Sequence, residues 1–169
     1  MSKYQFGNIT PWWDDSFKSL NYEYIPLTDV DQVSTWLKQG YNKIYLGGGQ
    51  YSMAKLMPEY AKPFLTVFDW ENVGITFFRM LTCEALPLHV DKFNKYREIA
   101  KLKNNSSIQR CVVFLENWKS GHYFEIDGIA HLNWHKGDYV IWDADIEHFA
   151  GNFGIDPRYT MQITGTKRS

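Results

Sequence analysis

The feature that most constrains the fold is a series of short apolar segments that begins at about residue 64. These segments are rich in branched and aromatic side chains, and glycine, asparagine and aspartate turns separate them. Short runs of this kind are typical of β-strands, and a succession of them favours a sandwich or a barrel. The predicted strands are Ile75–Leu88, Ile108–Leu115, Tyr123–Asp127, Ile129–Trp134, Tyr139–Trp142 and Arg158–Thr164.

The first third of the chain has a different pattern. Apolar side chains recur at helical spacing after Thr28, which is predicted to be the N-cap of a helix that ends at Gly40. Residues 43–46 are predicted to form a strand, and a second helix is predicted over about 50–60. The glycines at 47–49 are predicted to form a tight surface turn. A phosphate-binding turn is the alternative, although the G-x-G-x-x-G pattern is missing.

The length of 169 residues predicts a single domain with a substantial core. Residues 1–63 are expected to form a helical and irregular support, with a short edge strand at 22–25. Residues 64–169 are expected to form the β-rich core. The polar and basic segment at about 92–107 is expected to be an exposed, partly helical insertion between strands.

The charge pattern argues against two classes of partner. The net charge is −1, with 18 Lys and Arg against 19 Asp and Glu, and no block of like charge predicts contact with nucleic acid or a membrane surface. The N-terminus lacks the apolar run of a signal peptide. Cys83 and Cys111 lie in apolar, strand-like runs, so we expect buried, reduced thiols and a cytoplasmic protein.

Three residues together form a candidate metal site. His89 and Asp91 are two residues apart, so in an extended segment both side chains point to the same side. His148 follows 59 residues after His89 and must come from a different strand. Two imidazoles and one carboxylate can occupy one face of an octahedron and leave the opposite face open. This ligand set predicts an Fe(II) site, although Mn, Co or Ni could substitute.

An arginine follows the second histidine at an informative distance. Arg158 lies ten residues after His148 and begins the last predicted strand, in which Thr160, Gln162 and Thr164 share its face. A guanidinium binds a carboxylate through two parallel hydrogen bonds, and a neighbouring hydroxyl can add a third. Arg158 and Thr160 are therefore candidates to hold an anionic cosubstrate, and a surface salt bridge is the alternative for Arg158.

These motifs resemble a known enzyme family. The stretch from about residue 75 to residue 166 resembles the 2-oxoglutarate- and iron(II)-dependent dioxygenases, in particular their prolyl-hydroxylase-like group. The matching segments are HVD at 89–91, RCVVFLENW at 110–118, KGDYVIW at 136–142 and EHFAGNFGIDPRYTMQITG at 147–165. The resemblance implies a mainly β fold, a double-stranded β-helix or jelly roll of cupin-like type, with the N-terminal helices packed on one sheet.

The resemblance also implies roles for individual residues. His89, Asp91 and His148 would bind iron, and Arg158, with Thr160 beside it, would bind the distal carboxylate of 2-oxoglutarate. The reaction would hydroxylate a C–H bond with dioxygen and release succinate and CO2. The substrate would be a small molecule or a peptidyl residue, with proline as one candidate.

The chain departs from the family pattern at one position. Many prolyl-hydroxylase-like proteins carry Tyr-Leu where this chain has Phe114 and Leu115, and that tyrosine often hydrogen-bonds the cosubstrate. Arg110 and Tyr123 are the candidate replacements. Two other functions stay open, namely a non-catalytic jelly-roll binding module and a cupin-like metalloenzyme without a keto acid. Arg158 distinguishes the keto-acid dioxygenase from both alternatives, because only the keto-acid mechanism needs a carboxylate-binding group at this point.

Overall fold

The computed structural model describes residues 4–52, 56–103 and 106–168. The strands are β1 (Tyr4–Asn8), β2 (Glu23–Tyr24), β3 (Gly49–Ser52), β4 (Trp70–Met80), β5 (Ala85–His89), β6 (Ile108–Phe114), β7 (His122–Ile126), β8 (Ile129–His131), β9 (Asp138–Asp143), β10 (His148–Asn152) and β11 (Arg158–Lys167). The α-helices are α1 (Val30–Lys38) and α2 (Asn94–Ile99). Short 3-10 helices cover Asp15–Ser19, Lys43–Tyr45 and Glu59–Leu65.

The strands form two antiparallel sheets. The large sheet has the order β1-β9-β6-β11-β4-β3-β2, and the small sheet has the order β5-β10-β7-β8. Consecutive strands often lie in different sheets, as β4 and β5 do, which is the crossing pattern of a jelly roll. The mainly β, jelly-roll fold that the sequence predicts is confirmed.

The large sheet has two buried faces with different neighbours. Its outer face carries side chains such as Phe77, Met161 and Ile163, which belong to an apolar cluster with the N-terminal segments. The apolar part of its inner face belongs to a second cluster, in which Phe114 packs with Phe124 of the small sheet. Because side chains alternate along each strand, the large sheet serves both clusters at once.

Two of the N-terminal 3-10 helices pack on the outer face of the large sheet, whereas Trp36 of α1 contacts β5 of the small sheet. Phe17 from the first 3-10 helix and Phe64 from the third are almost fully buried on this outer face, among the residues of the first cluster. The support predicted for residues 1–63 also contributes strands, because β1, β2 and β3 all belong to the large sheet. The edge strand predicted at 22–25 is confirmed as β2. No helix in the described ranges has the length and apolar character needed to cross a membrane.

Helix α1 begins and ends close to the predicted positions. Its N-cap is Asp29 rather than Thr28, and the Asp29 carboxylate accepts a hydrogen bond from the Gln32 amide at 3.2 Å. At the C-terminus Gly40 has a positive φ, and the amide of Tyr41 donates to the carbonyl of Trp36. This is the Schellman arrangement that a C-terminal glycine favours.

The region after α1 differs from its prediction. Residues 43–45 form a 3-10 helix instead of a strand, and β3 occupies part of the stretch predicted as a second helix. The glycines at 47–49 are buried and lead into β3, so the predicted surface turn is wrong. A Cβ on Gly48 would lie 2.7 Å from the carbonyl oxygen of Arg79 and 2.6 Å from the Phe78 ring. The glycines therefore allow close approach to β4.

The long run Ile75–Leu88 is two strands, one in each sheet. A turn separates β4 from β5, with a positive φ at Cys83 and a hydrogen bond from the Leu81 amide to the Glu84 carboxylate. Cys83 is consequently exposed, which contradicts the predicted burial, whereas Cys111 is buried as predicted. The insertion at 92–107 contains α2, in agreement with its predicted partly helical character.

The substitution Gly48→Ala tests the close approach of the glycine segment to β4. We expect it to destabilise the fold by about 1–3 kcal/mol, because the methyl group meets backbone as well as side chain. The matched control is Gly74→Ala, whose Cβ would meet only the Tyr96 ring at 3.8 Å. Chemical denaturation of both variants measures the difference, and equal stability would contradict the packing described.

Candidate metal centre

The three predicted metal ligands meet between two strands of the small sheet. His89 ends β5 and His148 begins β10, and the two residues are direct partners in the antiparallel register. Asp91 follows β5 by two residues and points to the same place. One ligand atom from each of the three residues lies within 4.8 Å of the others. The alternation and the long sequence separation thus bring two imidazoles and a carboxylate to one point.

Hydrogen bonds to the backbone orient both imidazoles. Nδ1 of His89 lies 2.7 Å from the Pro87 carbonyl oxygen, and Nδ1 of His148 lies 3.0 Å from the Ile146 carbonyl oxygen. A carbonyl oxygen only accepts, so each Nδ1 carries a hydrogen and donates it. Nε2 is then the ring nitrogen of each histidine that can offer a lone pair to a metal, and these atoms lie 3.8 Å and 3.7 Å from the Asp91 carboxylate oxygens. This tautomer is the one that binds a metal through Nε2.

The ionisation of this group suits a cation. Burial raises the pKa of Asp91, but Arg110 and the two imidazoles outweigh it, so the pKa of Asp91 lies below its ordinary value. Burial lowers the pKa of His148 to about 4, against an opposing effect of Asp91. The centre therefore offers an ionised carboxylate and a neutral imidazole at neutral pH, which are the forms that bind metals.

A cavity of about 990 Å³ opens beside the three ligands. Its floor is the inner face of the large sheet, and its walls come from α1, the segment around α2 and the small sheet. The predicted alternation along β11 is confirmed, because Arg158, Thr160, Gln162 and Thr164 all line this cavity. The other face of β11 carries Met161 and Ile163 into the outer cluster.

Arg158 is a buried cation without a carboxylate partner among the described residues. Only 2% of its surface is exposed, its Nε has no hydrogen-bond partner, and its Nη1 lies 3.8 Å from the Met80 sulfur. Burial lowers the pKa of this guanidinium to about 9, which still leaves it charged at neutral pH. The alternative of a surface salt bridge is thereby excluded for Arg158.

Comparisons with solved structures show a related fold. A prolyl-4-hydroxylase from Pseudomonas putida matches over 99% of this chain and 94% of its own, with 12% identity and a TM-score of 0.62. The chain has the prolyl-4-hydroxylase fold. The α-ketoglutarate-dependent carbocyclase SnoK from nogalamycin biosynthesis matches 83% of this chain and 76% of its own, with 11% identity and a TM-score of 0.56. The resemblance stated from the sequence is confirmed at the level of fold.

A third matching structure is, like SnoK, described as α-ketoglutarate-dependent. The epimerase SnoN from nogalamycin biosynthesis, also α-ketoglutarate-dependent, covers 82% of this chain and 74% of its own, with 10% identity and a TM-score of 0.53. No protein-family model and no curated protein sequence matches the chain. At these identities the likeness concerns the prolyl-4-hydroxylase fold, and the function has to be argued from the side chains.

Aromatic rings surround the guanidinium of Arg158. Its central carbon lies 5.5 Å from the Trp134 ring centre and 5.9 Å from that of Phe114, and these two rings stack at 4.1 Å. A guanidinium beside aromatic faces is stabilised electrostatically, which offsets part of the cost of burying it. The role of Trp134 was missed from the sequence, because it lies 24 residues before Arg158 and no local pattern joins them.

The two candidates for a second cosubstrate-binding group lie in different places. Arg110 lines the cavity, but its Nε donates to the Asp91 carboxylate at 3.0 Å. Tyr123 points away from the cavity. Side chains alternate along β7, and Phe124 and Ile126 on the opposite face are buried in the second apolar cluster between the sheets. Its hydroxyl donates to Glu125 at 2.6 Å on the outer side. The structure therefore does not bring Tyr123 to the metal centre.

The residues present fit the iron and the keto acid that the fold implies. Two oriented Nε2 atoms and one ionised carboxylate form the open set that suits Fe(II). The unpaired Nε of Arg158 lies in the same cavity and suits the distal carboxylate of a keto acid, with the Thr160 side chain next to it. His89, Asp91 and His148 would hold the metal, and Arg158 and Thr160 would hold the cosubstrate.

Metal binding should depend on the two oriented histidines. Co(II) should raise the melting temperature of the native protein, because a ligand that binds only the folded state stabilises it. His89→Ala and His148→Ala should each abolish this shift. The matched control is His135→Ala, which removes a histidine whose side chain is 82% exposed. A shift that survives both substitutions would show that the metal binds elsewhere.

The low pKa of His148 predicts a pH dependence of the apoprotein. Between pH 6.5 and about pH 4 the unfolded chain binds a proton at this imidazole that the folded chain does not bind. Stability should therefore fall as the pH falls through this window, with a contribution from His148 approaching about 1.4 kcal/mol per pH unit. Denaturation of native and His148→Gln protein in a chelator should show a shallower pH slope in the variant. Parallel slopes would contradict the assignment.

Proposed function

We propose that this protein is an Fe(II)- and 2-oxoglutarate-dependent oxygenase that hydroxylates a C–H bond of a small molecule or a peptidyl residue. In the overall reaction the substrate, 2-oxoglutarate and dioxygen become the hydroxylated substrate, succinate and CO2. The single observation that carries the proposal is the buried guanidinium of Arg158, which has no carboxylate partner among the described residues and lies in the cavity that contains the three proposed metal ligands.

A buried guanidinium without a carboxylate partner destabilises a fold. Removing an ion from water costs several kcal/mol even after the surrounding protein relaxes. Two aromatic rings offset only part of that cost, and neither ring can accept the directed hydrogen bonds that a guanidinium offers. A carboxylate would satisfy both the charge and the donors. A binding module or a metalloenzyme without a keto acid does not require a buried guanidinium at this position.

Different side chains would bind the metal and the cosubstrate. His89, His148 and Asp91 would hold iron, which with dioxygen and the keto acid supplies the oxidising power for C–H hydroxylation. Arg158 would bind the distal carboxylate of the cosubstrate and so fix the direction in which its keto end points. Phe114 and Trp134 shield the guanidinium of Arg158 from water, which would strengthen its attraction to that carboxylate. The remainder of the cavity is left for substrate.

The departure at Phe114 has a consequence for the cosubstrate. Phe114 cannot donate a hydrogen bond, and Tyr123 lies on the outer side of β7. Arg158 and Thr160 are then the polar groups proposed to bind the distal carboxylate. We expect the affinity for 2-oxoglutarate to depend on Arg158 more strongly than on any neighbouring side chain.

The proposal is tested by anaerobic titration of the Fe(II)-loaded protein with 2-oxoglutarate. Chelation of the keto acid should produce a visible metal-to-ligand charge-transfer band. Arg158→Gln should weaken 2-oxoglutarate binding at least about 30-fold, because it removes one partner of a buried charge pair. The control Arg168→Gln removes an arginine whose side chain is 61% exposed and should leave the affinity unchanged. An iron-loaded protein that gives no band would disprove the proposed function.

A further inference from the structure

The interior of the cavity has one more positively charged side chain than negatively charged side chains. Of the charged residues that line it, Asp29, Asp31, Lys92 and Lys95 lie at the rim, two acidic and two basic, and Lys92 pairs with Asp29 at 2.7 Å. Deeper in the described part of the cavity there is one carboxylate, Asp91, and there are two guanidiniums, Arg110 and Arg158. Counted over this carboxylate and the two guanidiniums, the interior therefore has a net charge of +1.

Loading the site as proposed above leaves this excess unchanged. Iron brings two positive charges, and 2-oxoglutarate brings two negative charges, so their sum is zero. Arg158 would be neutralised by the distal carboxylate, and Asp91 would share its charge with the metal. The guanidinium that then lacks a full counter-charge is Arg110, and a partly buried charge of this kind favours an anionic partner.

Arg110 is placed to receive such a partner. Its Nε donates to Asp91 and its Nη1 to the Gln162 side-chain oxygen at 3.3 Å, which uses two of its five N–H bonds. The side chain remains 17% exposed and lines the cavity. Arg110 lies opposite Thr164 in the strand register, and Thr164 is six residues from Arg158, or about 20 Å along β11. The two guanidiniums therefore serve different parts of the cavity.

The surroundings of Arg110 form a built subsite. Phe93 is buried with its backbone in the left-handed region, a costly conformation for a side chain of this size, and its ring lies 4.8 Å from the guanidinium carbon of Arg110. On the floor, Thr76 and Thr164 add neutral hydrogen-bonding side chains near Gln162. The wall opposite carries apolar groups of α1 and α2, such as Val33 and Ile99.

We propose that Arg110 binds the substrate, and that the substrate is an organic acid with one carboxylate and a largely uncharged body. This inference rests on the proposed function, because it assumes that the cosubstrate occupies Arg158. The carboxylate can belong to a free small molecule or to the C-terminal residue of a short peptide. An internal peptidyl proline has no such group and would leave the excess positive charge at Arg110 uncompensated.

The test uses the full chain loaded with Zn(II), which binds without turnover, and saturated with 2-oxoglutarate so that Arg158 is filled. Saturation-transfer NMR then compares each acid with its neutral primary amide. The probes are 4-methylpentanoate, 3-phenylpropionate, N-acetyl-L-proline and an acetylated tetrapeptide with a free C-terminus. We expect at least one acid to bind about tenfold or more tightly than its amide, as a charge-assisted hydrogen bond implies. Binding restricted to the tetrapeptide acid would assign the carboxylate to a peptide end.

The sharpest variant is Gln162→Glu, which neutralises Arg110 without removing its contact to Asp91. It should abolish the preference for acids while 2-oxoglutarate still binds. The matched control Gln5→Glu makes the same change of charge on the exposed strand β1 and should leave the preference intact. Arg110→Lys keeps the positive charge and should retain part of the preference for acids. It therefore tests the same contact if Gln162→Glu does not fold.

The outcomes separate this inference from the proposed function. If 2-oxoglutarate does not bind to the metal-loaded protein, the proposed function and the present inference fail together. If 2-oxoglutarate binds but the amides bind as tightly as the acids, only the anionic substrate is disproved. The same holds if no acid binds, or if Gln162→Glu keeps the full preference for acids.

Discussion

The register of β11 is the constraint on which both the core and the metal centre depend. This strand lies in the middle of the large sheet, between β6 and β4. One face carries Tyr159, Met161 and Ile163 into the outer core, and the other lines the cavity with Arg158 and Thr160. A slip of one residue would bury the polar face in the core and turn the apolar face to the cavity. The driving force for folding thus also positions the side chains that are proposed to bind the cosubstrate.

Buried charge is the second constraint, and it explains which residues surround the site. Arg110 and Arg158 are both held against aromatic rings, Phe93 for the first and Trp134 for the second. Such contacts stabilise a cation without adding a counter-charge. Arg158 has no carboxylate partner among the described residues, and Arg110 has Asp91. A further protein carboxylate beside either guanidinium would compete with the anions proposed to bind there. In the proposed function the arrangement therefore trades stability for affinity, as functional sites commonly do.

The sequence predicted what depends on local pattern and missed what depends on distant contacts. Alternation in 158–164 predicted the shared face, and the spacing of His89 and Asp91 predicted one side of the metal centre. The break within Ile75–Leu88 was missed because it is made by Glu84 binding the Leu81 amide, a contact that hydrophobicity does not record. Strand β3 was missed because the glycines that lead into it were taken for a surface turn. The close approach of Gly48 to β4 becomes visible only in the folded structure.

The contact between Arg110 and Asp91 shows why the second arginine could not be assigned from spacing. Position 110 shares a strand face with Phe114, which suggested a cosubstrate role, yet β6 runs antiparallel to β11 and brings position 110 opposite Thr164. The antiparallel register therefore carries Arg110 away from Arg158 and toward Asp91, the proposed metal ligand. Oδ2 of Asp91 accepts from Arg110 and also lies 3.7 Å from Nε2 of His148, while Oδ1 lies 3.8 Å from Nε2 of His89. Asp91 would hold the proposed metal together with the two histidines, and its contact with Arg110 would keep the carboxylate ionised and fixed in orientation.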